Sequence, residues 1–132
     1  LPDAWESANS LDPNDNGSVD SDNGASGDPD EDGLDNATEH LVGLNPQLAD
    51  AHLFPKLWAI LNADNSVTLD FPTLADRRYR LWWSDNLSNW NRLGADVVTL
   101  GETPNPHRQV DDSSQAPITE DHRFYRLEVR LP

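Results

Sequence analysis

The sequence predicts a mainly β fold: a small antiparallel, Ig-like β-sandwich preceded by an acidic segment of loops and short helices. Two observations predict it. Residues 1–50 carry thirteen Asp or Glu and no Lys or Arg, whereas residues 51–132 carry eleven acids and nine bases, so the two parts hold −13 and −2 of the net −15. Beyond residue 56 short runs alternate apolar and polar side chains, the period of a half-buried strand, and turn-forming residues separate them. The expected division is 1–50 and 51–132.

A segment at −13 repels itself unless something neutralises it. It has no cations with which to grip nucleic acid phosphates, and an anionic membrane surface would repel it. No apolar run approaches the ~20 residues of a membrane helix. The chain has no cysteine, so any staple for a loop-rich segment must be a metal held by oxygen or nitrogen. The acidic segment is therefore either a disordered tail or a cation-filled one, and the spacing of the acids distinguishes the two.

Residues Asp28 to Glu39 read DPDEDGLDNATE. Oxygen side chains fall at positions one, three, five, nine and twelve, with Gly at six, the ligand pattern of an EF-hand-type loop. Ca2+ is a hard cation that takes six to eight oxygens. Alternate residues of a tight loop point inward, so Asp28, Asp30 and Asp32 can reach one ion. Gly33 is expected at the sharp turn, where a side chain would clash. Leu34 offers its carbonyl, Asn36 sits at position nine, and Glu39 closes the shell with both oxygens. Asn36 to Val42 reads as a short helix ended by a left-handed Gly43, with Pro46 blocking a restart.

Aligning Leu1 with Leu34 puts Asp3 on position nine and Glu6 on position twelve, the back half of a second such loop. The chain thus reads as cut through a calcium site, with Asp3 also the expected cap of a helix containing Trp5. Between the two lies Asp12-Pro13-Asn14-Asp15-Asn16-Gly17-Ser18-Val19-Asp20. Its Asp12, Asn14, Asn16 and Asp20 recur at ligand offsets, but two are amides and position twelve is Asn23. This stretch is either a weaker calcium loop or a polar linker, with Asp20 and Asp22 as alternative ligands at either end.

The Leu1–Glu6 stretch, Leu11-Asp12-Pro13-Asn14-Asp15, and the Asp28–Glu39 loop followed by Gly43-Leu44-Asn45-Pro46 resemble thrombospondin type 3 calcium repeats. The likeness is to the bacterial form, found in large secreted proteins, and covers roughly residues 1–48. Asn14 and Asn16 depart from it, standing where the family usually has Asp. The resemblance implies an extracellular, calcium-binding accessory module that belongs to a larger parent protein.

In the second part, Leu57–Asn62 and Ser66–Phe71 read as a hairpin, with Val67, Leu69 and Phe71 on one face. Arg78–Ser84 places Tyr79, Leu81 and Trp83 on one face and Arg78, Arg80 and Trp82 on the other. Asp96–Gly101 is a shorter candidate. Arg123–Leu131 sets Tyr125, Leu127, Val129 and Leu131 against Phe124, Arg126, Glu128 and Arg130. Trp58 and Trp90 are expected in the core. The stretches from Tyr79 to Trp90 and from Arg123 to Leu127 resemble a small β-domain that follows such calcium repeats in secreted bacterial proteins.

No enzyme is expected. His40, His52, His107 and His122 have no metal-ligand spacing, and no nucleophile elbow or phosphate loop occurs. Two other functions remain open. In the first, Trp82, with Arg80 and Arg126 beside it, stacks on a polysaccharide. In the second, the module mediates adhesion or assembly with other protein copies through an open sheet edge.

Overall fold

The computed structural model describes residues 1–99, 105–111 and 122–132. The chain divides into two compact units, Leu1–Phe54 and Pro55–Pro132. The first unit contains helices α1 (Asp3–Ala8) and α2 (Asn36–Val42), with single 3-10 turns at Ser21–Asn23 and Ala51–Leu53. The second contains strands β1 (Trp58–Leu61), β2 (Val67–Thr73), β3 (Arg77–Ser84), β4 (Asn91–Thr99), β5 (Asn105–Asp111) and β6 (Phe124–Arg130).

The first unit has little apolar interior. Its buried hydrophobic side chains include Leu11, Val42 and Leu44, far less than an unassisted domain uses. Backbone geometry repeats within it. After α1, Ser10 takes a left-handed φ of 62°, and after α2 Gly43 takes 90°. The Leu11 and Leu44 amides then donate back to the Glu6 and Glu39 carbonyls at 2.9 and 3.0 Å. Asp12 and Asn45 next accept, through Oδ1, the amides of Asn14 and Gln47. An α-helix, a left-handed residue, a buried leucine and an Asx-Pro turn thus occur twice.

Asp35 caps α2 by accepting the Thr38 amide at 2.8 Å, and the helix spans the residues its sequence predicts. Asp3 does not cap α1. Pro2 occupies the cap, Asp3 is the first helical residue, and no side-chain capping bond forms. The first unit also runs past the compositional boundary at Asp50, because the Ala51 amide donates to Asp32 Oδ2 at 2.6 Å.

The second unit is a small antiparallel sandwich. One sheet has the order β1-β2-β5 and the other β4-β3-β6. The core draws from both sheets: Val67, Leu69 and Phe71 of β2, Tyr79 and Leu81 of β3, and Leu93 of β4. Trp83, Tyr125, Leu127 and Val129 pack against it from the side chains expected to face inward.

Several expectations need correction. Trp58 is not core: it is 53% exposed, on an edge strand whose four residues are all exposed. Leu57, just before that strand, contributes the packing instead. Trp90 ends the turn after β3 and is only partly buried, outside the core cluster. The strand expected at 96–101 begins at Asn91, and Gly101 lies outside the described residues. β5 was not expected, because Asn105–Asp111 has no alternation. It forms because β2 pairs with it from Val67↔Asp111 to Thr73↔Asn105.

Candidate metal centre

The loop from Asp28 to Glu39 folds around its own carboxylates. Asp28 accepts the Asp32 and Gly33 amides through its two oxygens at 3.2 and 3.1 Å. Asp30 Oδ1 accepts the Asp32 amide at 3.1 Å and Asp32 Oδ1 the Leu34 amide at 3.0 Å. These bonds curl the backbone so that alternate side chains converge, and Asp28, Asp30 and Asp32 offer carboxylate oxygens within 4.8 Å of one another. Gly33 is required by its φ of +93°, not by crowding, since a Cβ built there meets nothing within 4 Å.

Helix α2 brings Glu39 to the same place. Its side chain is fully buried. Asp32, Glu39 and Asp50 form a second group with carboxylate oxygens within 4.8 Å of one another. Asp50 was not singled out in the sequence. It arrives from beyond the Asn45-Pro46 turn, its Oδ2 accepting the Asn45 amide at 3.3 Å.

The centre is short of donors. Asp30 Oδ2, Asn36 Oδ1, both oxygens of Glu39 and Asp50 Oδ1 are buried, and none finds a hydrogen-bond donor among the described residues. All of them are acceptors. Asn36 spends its amide hydrogens on the Asp22 and Gly24 carbonyls, both at 2.7 Å, which leaves its oxygen as the end without a partner. Burial, with the charges of Asp30, Asp32, Asp50 and Asp28 added, pushes the Glu39 carboxyl up to about 8. Asp30 and Asp50 are raised in the same way, by burial first and neighbouring carboxylates next. Unpaired buried acceptors are costly, and the carboxylates among them belong to two converging groups that share Asp32.

The middle loop is organised differently. Asp15, which is 8% exposed, accepts the amides of Gly17, Ser18, Val19 and Asp20 and the side-chain amide of Asn23. Those donors hold its carboxyl down to about 2, led by the Asp20 and Val19 amides. Asp20 itself caps the following 3-10 turn by accepting the Asp22 amide at 3.1 Å. Asp12 accepts both nitrogens of Asn14. Asp12 and Asp20 thus each accept an amide that closes a turn, and Asp15, which fell between the ligand offsets, is the hub of the loop. Asn14, Asn16, Asp3 and Glu6 line one open pocket of about 420 Å³. Glu6 is buried there much as Glu39 is at the other repeat.

On the sandwich, Trp82, Arg80 and Arg126 come together as their alternation predicts. The guanidinium carbons of Arg80 and Arg126 lie 5.8 and 5.5 Å from the Trp82 ring centre. Trp82 Nε1 donates to Glu128 at 2.8 Å, and Arg80 forms a two-pronged pair with Asp96 at 2.8 Å. The ring is half-buried and already stacked on cations.

No family model, no curated protein and no solved structure matches the chain. Among the described residues, no helix is long and apolar enough to cross a membrane.

Proposed function

We propose that this chain is a calcium-binding structural module, an accessory part of a larger secreted protein, with no catalytic site of its own. The observation that carries the reading is Glu39: a fully buried carboxylate with no donor among the described residues, set among Asp28, Asp30, Asp32 and Asp50. Oxygen-only donors in a loop of this spacing suit Ca2+ rather than the softer transition metals. Mg2+ dehydrates reluctantly and keeps several waters, which a buried set of carboxylates does not accommodate.

The ion does the work that a core does elsewhere. The first unit has few buried apolar side chains and a charge of −13, so coordination and folding become one process. At free calcium a hundredfold above the dissociation constant the gain is about 2.7 kcal/mol per site. Extracellular modules bind at roughly 0.1–1 mM, so such a site fills outside the cell and empties in a cytosol.

Calorimetry of calcium into chelator-treated protein, followed by circular dichroism, tests the reading. Binding with a gain of order supports it. An absence of binding up to ten millimolar, on the order of ten times the extracellular range, defeats it.

A further inference from the structure

We propose that Asp50, outside the twelve-residue loop, is a ligand of the same cation, so that the ion fastens the chain beyond α2 to the loop before it. This rests on the calcium reading above and goes beyond it by adding a ligand that the loop motif does not contain.

Three observations carry it. Asp50 is 7% exposed and shares the group of converging carboxylates with Asp32 and Glu39. Its two oxygens are used differently. Oδ2 accepts the Asn45 amide, while Oδ1 is buried without a donor among the described residues. Glu39, the residue it faces, is fully buried with both oxygens likewise without donors. Two such carboxylates buried side by side are costly while both are ionised, and a cation between them offsets that cost.

Backbone hydrogen bonds of the same segment hold Asp50 at this position. The Asn45 carbonyl and Oδ1 accept the Leu48 and Gln47 amides, closing the turn at Pro46. The next residue, Ala51, donates to Asp32 Oδ2 at 2.6 Å. Asp32 therefore meets this segment twice, once through the Ala51 amide and once through the Asp50 carboxylate. The first repeat lacks the arrangement. Counting from its Asx-Pro turn, Gly17 stands where Asp50 does, and Asp15 turns onto backbone amides instead.

The experiment compares the whole chain with Asp50→Asn and Glu39→Gln, using calcium calorimetry and the water count of bound terbium from luminescence lifetimes in H2O and D2O. Asn keeps an oxygen for the Asn45 amide and removes the charge. Asp50→Asn is expected to weaken calcium by at least the roughly 10–100-fold lost when mere supporting groups of a metal site are changed. Its terbium should gain about one water, replacing the lost oxygen. Without metal it should melt no lower than wild type, because a buried like charge is gone. Wild-type affinity and water count in Asp50→Asn, with binding lost in Glu39→Gln, would overturn this inference and leave the loop site standing. Lost metal-free stability with an unchanged water count would also overturn it, by making Asp50 a structural residue only. If wild type binds neither ion, both readings fall together.

Discussion

Arg123 and Asp111 form a buried ion pair at 3.1 Å, their side chains 3% and 5% exposed. Asp111 ends β5 in one sheet and Arg123 leads into β6 of the other, so the pair latches the two halves of the sandwich. Tyr125 also donates to Asp111, at 3.0 Å. Arg123 reaches Asp85 at 3.0 Å, and its guanidinium carbon lies 4.1 Å from the Trp83 ring centre. Arg123→Met would remove the cation from the buried Asp111 side chain, and should cost about 3–5 kcal/mol in urea unfolding of the sandwich. Replacing Asp111 by Leu in the same chain should return much of that loss, since apolar residues substitute well for both members of a buried pair.

The Tyr79 hydroxyl accepts the Leu74 amide at 2.6 Å inside the core, and Thr99 Oγ1 donates to the Leu74 carbonyl. The bend from β2 into β3 is thus closed by side chains from β3 and β4. Tyr79→Phe keeps the packing and leaves a buried amide without a partner. It should cost about 1–3 kcal/mol, read as a lower urea midpoint with an unchanged slope.

Calcium dependence should be confined to one unit. Adding a chelator to the calcium-bound protein should lower the thermal transition of the acidic unit, and the sandwich transition should stay. Asp30→Ala and Glu39→Ala should each behave in calcium as chelated wild type does. Calcium-dependent protection from proteolysis persisting in both variants would contradict the loop assignment.

The Glu39 carboxyl gives the metal-free fold a pH dependence of definite sign. Its folded value, about 8, lies above the ordinary 4.5. Between these values the folded chain holds a proton that the unfolded chain has released. The contribution to metal-free stability is therefore full below 4.5 and is lost as pH rises through 8. Calcium requires the ionised form, so its affinity should climb across the same window and level off above it. Melting of metal-free protein at about pH 5 and about pH 9 tests the first statement. Calorimetry near neutrality in two buffers of different ionisation enthalpy tests the second, by counting protons released with each ion.

What the sequence made legible was local. The offsets from Asp28 to Glu39 can be read because a tight loop turns alternate side chains to one point within twelve residues. The Gly43 stop and the inward faces of β2, β3 and β6 follow from periods of the same short range. Asp50 escaped because it reaches the centre through a turn at Asn45-Pro46, which sequence spacing does not reveal. An acid placed shortly after that turn was the available signal. Asp15 escaped because it lies between the ligand offsets, where its value is as an acceptor for backbone amides. β5 has no pattern of its own and is a strand because β2 offers it an edge. Trp58 was misplaced because apolar content says nothing about whether a strand sits inside a sheet or at its margin.

The Asp15 clasp has a consequence for the order in which the acidic unit assembles. Its five donors are supplied by the chain itself, so that turn can close in a calcium-poor medium. The Asp28–Glu39 turn has amide donors too, but its crowded carboxylates repel one another, so under the proposed function its closure is completed by the ion. One end of the unit is then a preformed template and the other a latch that the surroundings set. Passage from low to high calcium would complete a half-built structure rather than start a new one. The conformational search left for the ion is correspondingly shorter.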